Sequence, residues 1–458
     1  MSKIQLSGYR KRLTGFLLSL TAIVGTSVPA AAYTIQNSLT VQVNARVRPG
    51  NFDRNIAANG RETVAPSGAR DAMLTAEVQT EDFNCVIPIQ ADGTLKVEYF
   101  DEGVGKTIVC NSFDFNGRLI QRLPYVSEPG RRAIRFLATG DPQIENGDAH
   151  GPAYERLRAQ QVMAQIVDLK KKDSRYRGIV VTGDLTMNSN RFEFDFYMDT
   201  IKGMTRFVYD GLGNHDLNML RPLDRITLPS APYRYIPDEI RESIKTRKRS
   251  TPRAGFQDVH YSWDWSDVHF VQLNLYPGKS PGRTRENFAL NPFDSLQFLQ
   301  ADLSRKVGSS GRPVILFHHY GMDSFSSQAE WWTEDERKAY WDVIAPYNVV
   351  AIITGHLHAS GPGESWWKVD WNRPAGKTNG PTSIPNLVAG GARNGGYYID
   401  VEITNDKLIA RRYKWNLIPR GLLGGQTQFL DSFPPVKDLP TVEIPVTIKK
   451  PGGVRVAP

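Results

Sequence analysis

An apolar run that ends in two histidines gives the clearest structural signal in this chain: Val349-Val350-Ala351-Ile352-Ile353-Thr354-Gly355-His356-Leu357-His358. The run is short, continuous and rich in β-branched residues, which is typical of a buried strand. The two histidines are two positions apart and would diverge on a helix, so they belong to an extended turn after that strand. The stretch therefore predicts a ligand-bearing loop at the edge of a sheet.

The same arrangement recurs at other places along the chain. The further junctions are Gly140-Asp141-Pro142-Gln143, Gly183-Asp184, Gly213-Asn214-His215-Asp216 and Phe317-His318-His319. In open α/β sheets, ligands bind beyond the carboxyl ends of the strands, so we expect these loops to converge. Glycine beside most of them allows tight turns and a close approach of the backbone to an ion.

The side chains at these junctions are oxygen and imidazole donors without a thiolate. Such donors suit manganese, iron, zinc or a similar ion, and they do not suit a structural zinc site built from cysteine. Six or seven ligands exceed what a single tetrahedral ion uses. The set therefore predicts two metal ions that share one bridging carboxylate.

The segments between the junctions predict a layered α/β architecture. From Ala133 onward, apolar strands such as Ile134–Ala138 alternate with helical periodicity such as that over Tyr154–Lys172. Before that point, short strands lie between Gly, Asp and Asn turns and predict a smaller all-β domain. The division we expect is a signal peptide, a β-rich domain, a catalytic domain and a C-terminal extension, over residues 1–32, 33–128, 129–420 and 421–458.

The amino terminus has the pattern of a secretory signal. Basic residues at Arg10-Lys11-Arg12 precede an apolar run over Leu13–Val28, and the small residues Ala30-Ala31-Ala32 follow. The alternative is an N-terminal anchor that is not cleaved. Cleavage near Ala32 would give a secreted or periplasmic protein.

The expected export determines the redox state of the two cysteines. Cys85 and Cys110 both lie in the mature chain. An oxidising compartment favours a disulfide between them, and two free buried thiols are the alternative.

Charge gives little support for a nucleic-acid partner. The 458 residues carry 56 Lys and Arg against 48 Asp and Glu, a net charge of +8. Residues 1–32 account for +4 of it, so the mature chain has a mild net charge of +4.

Residues 221–253 form a basic insertion or long loop. Its run Arg247-Lys248-Arg249 is either solvated surface or a means of attracting an anionic substrate.

Taken in order, the junctions resemble those of the calcineurin-like metallophosphoesterases over roughly residues 133–405. The resemblance implies a two-sheet β sandwich flanked by helices. It also implies hydrolysis of a phosphoester by a hydroxide that bridges two metal ions. By the same resemblance, Asp141 and His358 would hold the first ion. Asp184 would bridge both ions. The second ion would be held by Asn214, His318 and His356. His215, poised by Asp216 or a neighbouring acid, would contact the substrate phosphate or the leaving oxygen.

Two residues depart from the family pattern. Gln143 stands where a histidine is usual, and an amide oxygen is a weaker ligand, so it either holds the first ion loosely or binds a water on that ion. Met187 stands where purple acid phosphatases have a tyrosine, so no tyrosinate ligand is expected. His318 is preferred to His319 because the family more often uses the first histidine of such a pair.

The substrate is less well defined by the sequence. Candidate substrate contacts are His150, Tyr320 and Arg393. Loop tryptophans either stack on a sugar, base or acyl chain at the pocket rim or pack a subdomain; they are Trp331, Trp332, Trp366, Trp367 and Trp371.

We expect a phosphomonoesterase that acts on a small-molecule or lipid phosphoester. The alternatives are a phosphodiesterase for nucleotides or lipid head groups, and a metal-binding adhesion protein. Membrane contact is allowed but not indicated, and the oligomeric state is open.

Overall fold

The computed structural model of this protein describes a defined part of the chain: residues 33–39, 42–48, 53–64, 71–77, 82–88, 92–101, 106–123, 132–144, 153–217, 236–249, 259–279, 283–285, 288–358, 367–415, 419–423, 426–429, 436–437 and 440–446. The predictions for the signal peptide, for the domain boundary at residues 128–129, for His150 and for Trp366 lie outside these residues.

The N-terminal region consists of strands, as predicted. Its strands are β1 Tyr33–Asn37, β2 Val43–Arg48, β3 Asp53–Ile56, β4 Arg61–Val64, β5 Asp71–Glu77, β6 Asp82–Pro88, β7 Thr94–Asp101, β8 Lys106–Phe113 and β9 Leu119–Leu123. Within the described ranges they form one sheet in the order β4-β1-β7-β8-β9 and a second in the order β3-β2-β5-β6. The inward-facing apolar side chains of both sheets, such as Ile35, Val43 and Val97, form a core of their own.

The predicted disulfide would join these two sheets. Cys85 lies in β6 and Cys110 lies in β8, in different sheets of the region. Cys110 is fully buried, whereas the side chain of Cys85 is outside the described residues. The pairing therefore stays a prediction.

Two further sheets form the larger domain. In the described part of the chain, the first has the order β12-β11-β10-β21-β22-β25, with β26 also paired to β22, and the second has the order β13-β14-β17-β18-β20-β19. The strands of the first are β10 Ile134–Thr139, β11 Tyr176–Val181, β12 Val208–Asp210, β21 Tyr397–Ile403, β22 Lys407–Lys414, β25 Val436–Lys437 and β26 Val442–Pro445. Those of the second are β13 Tyr261–Trp265, β14 Val268–Gln272, β17 Pro313–His318, β18 Asn348–Thr354, β19 Lys368–Asn372 and β20 Ser383–Val388. Two small hairpins, β15 Arg283–Arg285 with β16 Phe288–Leu290 and β23 Pro419–Leu423 with β24 Gln426–Phe429, complete the strands.

The two large sheets pack face to face through aromatic side chains. Phe136 of β10 meets Phe270 of β14 and Phe317 of β17, with ring centroids 5.8 and 6.0 Å apart. Such rings remove a large apolar area from water at the centre of a sandwich. The expected two-sheet β sandwich is therefore confirmed.

Long helices flank this sandwich, and short helical turns occur in its junction loops. They are α1 Ala153–Lys172, α2 Arg191–Thr200, α3 Asn214–Leu217, α4 Pro237–Arg249, α5 Ser295–Asp302, α6 Glu334–Ile344 and α7 Ala392–Gly395, and α5 continues as a π-helical turn over Leu303–Val307. α1 packs on the first sheet through side chains such as Val162 and Ile166, and α6 packs on the second through Tyr340 and Ile344. None of the described helices has the length and apolar character needed to span a membrane.

The basic insertion contains a helix and is not only a loop. Within residues 221–253, the described part includes α4, and Lys248 near the end of this helix is buried. Arg247 pairs with the buried Asp210 at 2.9 Å, and the Lys248 ammonium donates to the carbonyl of Val208. For these two side chains, both sequence interpretations were wrong, because they anchor α4 to β12 and do not form a charged surface.

Candidate metal centre

Parallel strands bring the junctions together at one edge of the sandwich. β10, β11 and β12 run parallel in the first sheet, and β14, β17, β18 and β20 run parallel in the second. The loops after their carboxyl ends therefore meet, as expected for an α/β site.

Three junction side chains form a compact group. The carboxylates of Asp141 and Asp184 and the imidazole of His358 offer donor atoms that all lie within 4.8 Å of one another. His358 Nε2 is 3.2 Å from Asp141 Oδ1, and both carboxylates are buried. Two buried carboxylates this close need a cation or protons to offset their repulsion, so the group has the chemistry of a cation site.

The backbone at this group is held in an unusual conformation. Asp141, Gln143, Asp184 and His356 all have positive φ, at 54°, 39°, 54° and 68°. Non-glycine residues in this region carry a conformational cost, and such positions cluster at functional sites. The loops also pack closely, because a Cβ on Gly390 would lie 2.6 Å from Asp141 Oδ2.

A second set of donors lies beside Asp184. His319 Nε2 is 3.3 Å from Asp184 Oδ2 and 3.1 Å from Asn214 Oδ1. The Nδ1–H of His319 donates to the carbonyl of Thr182 at 3.0 Å, so Nε2 is the ring nitrogen that faces these two oxygens. His356 packs against His319, with ring centroids 5.1 Å apart, and its Nε2 is buried without a hydrogen-bond partner in the described structure.

The choice of His318 as a ligand is corrected by this geometry. His318 points away from the junctions, and its Nδ1–H donates to the carbonyl of Tyr320 at 2.7 Å. Its ring packs edge-on against Trp332 and Tyr340 in the core beneath α6. Burial lowers its pKa to about 3, so it is a neutral core residue, and His319 takes its place beside Asp184.

Asp216 does not contact the imidazole of His215, contrary to the first of the two interpretations. Its two oxygens accept the backbone N–H groups of Leu185, Thr186 and Gly213 at 2.9–3.0 Å. Burial raises its pKa to about 7. Asp216 thus joins two metal-motif loops, which is a structural role in place of the catalytic one predicted.

His215 lies at the open side of the site. Its Nδ1–H donates to the carbonyl of Met187 at 2.8 Å, and its Nε2 is 3.9 Å from Asp184 Oδ2. The side chain is 13% exposed, and because Nδ1 is occupied by Met187, Nε2 is the nitrogen left for a substrate. Burial lowers the pKa of this imidazole despite the neighbouring carboxylate of Asp184.

Gln143 lies between Asp184 and Arg393. Its amide donates to Asp184 Oδ2 at 3.1 Å, and its Oε1 is 3.5 Å from Arg393 Nη1. Arg393, which is buried in α7, also contacts the sulfur of Met187 at 3.0 Å. The glycine-rich stretch around Arg393 is therefore part of the site, and its guanidinium adds a positive charge beside the junction loops.

The remaining substrate candidates have different outcomes. Tyr320 is fully buried, stacks on Tyr276 and packs against His356, so the described structure places it behind the site histidine, and its predicted contact with a substrate stays a prediction. Of the tryptophans, Trp332 and Trp367 are buried and Trp371 packs on Trp341, whereas Trp331 lies against His356.

Sequence reasoning missed the groups that orient the ligands. The amide nitrogen of Asn394 is 3.0 Å from His358 Nδ1, and the carbonyls of Thr182 and Met187 fix the rings of His319 and His215. Asn394 directly follows the candidate Arg393 in the sequence, so its position next to that residue was the available signal. Backbone carbonyls leave no signal in a sequence.

Electrostatics within the site match a cation-binding role. Burial disfavours the charge of Asp184, but His319 and His215 outweigh it and hold the pKa of Asp184 well below its usual range. Burial likewise opposes the imidazolium of His319, yet Asp184 raises its pKa to about 9. Burial lowers the pKa of His356 far below the ordinary value, so that ring is neutral, as a ligand must be.

A match to a known protein family agrees with this description. Residues 134–360 match the sequence model of the family described as calcineurin-like phosphoesterase. A search of curated proteins found no sequence match. Similar solved structures include a dimetal phosphatase from Danio rerio, with 14% identity over 69% of this chain and 99% of that chain and a TM-score of 0.41.

Two other similar structures were found. One is Vacuolar Protein Sorting 29 from Cryptosporidium parvum, with 12% identity over 68% of this chain and 97% of that chain and a TM-score of 0.27. The other is a predicted phosphoesterase from Streptococcus pneumoniae, with 11% identity over 66% of this chain and 98% of that chain and a TM-score of 0.23. By the family match, residues 134–360 are a calcineurin-like phosphoesterase domain, the kind of domain that carries out metal-dependent phosphoester hydrolysis.

Proposed function

We propose that this protein hydrolyses phosphomonoesters at a centre of two metal ions. The observation that carries the proposal is the convergence of Asp141, Asp184 and His358 within 4.8 Å, with His319 and Asn214 directly beside Asp184. These oxygen and imidazole donors come from loops of both sheets. Buried carboxylates at this spacing lower the stability of the fold when no cation offsets their charge. Their presence therefore supports a resident metal centre.

The donor set fits two divalent ions of the manganese, iron or zinc type. Asp141 and His358 would hold one ion, and Asn214, His319 and His356 would hold the other, with Asp184 between them. The buried Nε2 of His356, which has no partner in the described structure, supports its role as a ligand. When bound, such ions offset the charge of the phosphoryl oxygens and make water a better nucleophile.

The chain's own residues would supply orientation and a proton. His215, fixed by the carbonyl of Met187, directs Nε2 to the open side of the site, where the leaving oxygen of the substrate would lie. As the phosphorus–oxygen bond to the leaving group breaks, the imidazolium form of His215 gives its Nε2 proton to that oxygen. Water supplies the oxygen that the released phosphate gains.

Arg393 favours monoesters over diesters. A phosphomonoester is a dianion near neutral pH, whereas a diester is a monoanion. The guanidinium beside Gln143 adds positive charge to a site that already binds cations, so it favours the more negative substrate. We therefore place phosphodiester hydrolysis second.

Release of para-nitrophenol tests this assignment. The purified enzyme, supplied with each candidate metal in turn, should hydrolyse para-nitrophenyl phosphate faster than bis-para-nitrophenyl phosphate. Chelation and Asp184→Asn should each abolish both activities. A faster reaction with the diester would replace the monoesterase assignment, and activity that survives both treatments would refute a metal-dependent reaction at this centre.

Export and partner choice also remain proposals. Residues 1–32 have the pattern of a cleaved signal, so we propose a secreted or periplasmic enzyme that acts on a small-molecule or lipid phosphoester. Mass determination of the mature chain checks the cleavage, because loss of residues up to about Ala32 is expected and an intact N-terminus would contradict export by this route.

A further inference from the structure

Two aromatic side chains cover one side of the metal-motif histidine His356. The ring of Phe325 stacks on the imidazole with centroids 5.1 Å apart and planes at 26°. Trp331 meets the same imidazole nearly edge-on at 4.4 Å, and it also contacts Phe325 at 5.6 Å. Tyr320 lies behind them and is fully buried. Phe325 and Trp331 therefore form a continuous wall, the aromatic wall, next to the proposed metal centre.

Phe325 is unusually exposed for a ring in this position. It is 38% accessible to solvent, whereas Tyr320 and Trp332 around it are fully buried. The ring therefore covers His356 with one face and still has area open to a ligand. An exposed aromatic beside a polar centre is a common feature of ligand sites, where the polar groups orient the ligand and the ring contacts its apolar part.

The aromatic wall is held rigidly. Asp323 Oδ1 accepts the backbone N–H groups of Phe325 at 3.0 Å and Ser326 at 2.8 Å. Arg337 Nη1 donates to the carbonyls of Ser327 and Trp332 at 2.7 and 2.8 Å. A surface fixed in this way loses little conformational entropy when a ligand packs on it.

We propose that the aromatic wall binds the leaving group of the substrate and that this group is a flat aromatic ring. The inference rests on the proposed function, which places the phosphoryl group among Asp184, His319 and His356. With the leaving oxygen at His215, the rest of the leaving group would extend past His356 toward Phe325 and Trp331. Aromatic rings gain from offset or edge-on contact with other rings beyond the burial of apolar area. The substrate class is thus the monophosphate of an aromatic alcohol or of a group that carries a heteroaromatic ring.

A pair of substrates that differ only in aromaticity tests the proposal. Benzyl phosphate and cyclohexylmethyl phosphate have leaving groups of similar size and both release primary alcohols. Phe325→Leu keeps an apolar side chain over His356 but removes the ring. We expect kcat/KM for benzyl phosphate to fall about two- to tenfold, with little change for cyclohexylmethyl phosphate.

A binding experiment gives a readout without turnover. Titration calorimetry of the manganese-loaded enzyme with benzylphosphonate should show a similar two- to tenfold weakening in Phe325→Leu, and cyclohexylmethylphosphonate should bind both forms equally. Phe115→Leu, at an exposed ring in the N-terminal region, is the matched control and should change neither ligand. Equal metal content of all three proteins excludes an effect through His356.

The outcomes separate the two proposals. An equal fall for both esters would mean that the wall is merely apolar, and no change for either would mean that Phe325 only shields His356; both results overturn the aromatic assignment and leave the phosphatase intact. If the unmodified enzyme hydrolyses para-nitrophenyl phosphate but not benzyl phosphate, this inference alone fails. If it hydrolyses no phosphomonoester with any metal, the proposed function fails and this inference with it.

Discussion

Two adjacent histidines at the end of β17 have opposite roles because successive side chains of an extended chain point to opposite faces. Leu316 and His318 face the core beneath α6, whereas Phe317 faces the interior between the two sheets. His319 continues on the side of Phe317, and that side leads to the junction loops. The alternation was present in the sequence, so the position of Phe317 could have identified His319 as the ligand candidate.

Substitution of each histidine separates a ligand from a core residue. We expect His319→Ala to weaken metal binding by more than the roughly 10–100-fold that loss of an outer hydrogen-bond partner causes. His318→Ala should lower the free energy of unfolding and leave metal affinity nearly unchanged, because His318 contacts Tyr340 and Trp332. Competition with a metal-sensitive dye measures both affinities. Equal losses in the two variants would contradict the correction.

The role of His215 is tested by varying the leaving group. An alkoxide needs a proton to depart, whereas para-nitrophenolate does not. His215→Ala should therefore slow hydrolysis of an alkyl phosphate about 10²–10⁴-fold and that of para-nitrophenyl phosphate much less. Steady-state rates for both substrates, with metal content checked, provide the measurement. A uniform fall would show that His215 binds the phosphoryl group and does not serve as the acid.

Arg393 should affect substrate binding through its charge. Arg393→Met removes the guanidinium near Gln143 and is expected to raise KM for a phosphomonoester about 10-fold or more, because bonds to charged groups are the stronger ones. Arg393→Lys keeps a charge and should lie between the two. Initial rates over a range of substrate concentrations give KM, and an unchanged KM in Arg393→Met would remove Arg393 from the site.

Residue types alone did not define every role. The sequence correctly indicated which loops meet, because glycine, carboxylate and imidazole follow apolar strands in a recurring pattern. It could not distinguish Asp216 as a carboxylate that binds backbone amides from one that orients His215, since both uses require the same residue. That distinction depends on the course of the loops around Leu185 and Gly213.

At the scale of elements, strands and long helices were predictable and the basic insertion was not. The helix expected over Tyr154–Lys172 is observed over Ala153–Lys172. The helix over Glu334–Ile344 begins at a capping box that Thr333 and Glu336 form. A run of charged residues usually lies on the solvated surface, but Lys248 in this run is buried. Its ammonium lies over the ring of Tyr209 at 4.8 Å, and such burial of a cation requires partners that only the fold provides.

The second sheet contains a buried ionic cluster around His269, well within β14. Its Nδ1 is 2.7 Å from Asp264 and its Nε2 is 2.7 Å from Asp302. Arg312 also pairs with Asp264, and the hydroxyl of Ser262 donates to Asp302. These contacts give His269 a structural role within the second sheet.

The stability of this cluster should depend on pH. Burial opposes the imidazolium of His269, but Asp264 and Asp302 outweigh it and raise its pKa above the ordinary 6.5. A raised pKa means that the stabilisation is complete below about pH 6.5 and is lost as the pH rises through the folded-state value. The free energy of urea-induced unfolding should therefore fall over that range.

His269→Gln provides the comparison, because glutamine cannot change its charge. The difference in unfolding free energy between the unmodified protein and this variant should shrink as the pH rises above about 6.5. A difference that stays constant from pH 6 to pH 9 would show that His269 does not gain a proton on folding. His269→Ala should cost about 3–5 kcal/mol at low pH, since it leaves two buried carboxylates without their partner.

At the scale of the whole molecule, the chain has separate apolar cores with different chemical constraints. The N-terminal strands bury their own set of side chains, such as Ile35 and Leu74, apart from the cores of the sandwich. Only the sandwich contains the proposed metal ligands, and only the N-terminal region contains the two cysteines. A chelator and a reductant should thus act on different parts of the protein.

Differential scanning calorimetry of the full chain tests this separation. We expect two transitions, because each region has its own core. Metal at about 100 times its Kd stabilises the state that binds it by about 2.7 kcal/mol, so removal should lower the Tm of the catalytic transition by about 5–10 °C. A disulfide that closes a loop of this length contributes about 2–4 kcal/mol, so a reductant should lower the other transition. The double variant Cys85→Ser/Cys110→Ser should no longer respond to the reductant, whereas its response to the chelator should persist. An absent effect of the reductant on the unmodified protein would mean that Cys85 and Cys110 are not paired. A single transition shifted by both reagents would mean that the two regions unfold as one unit.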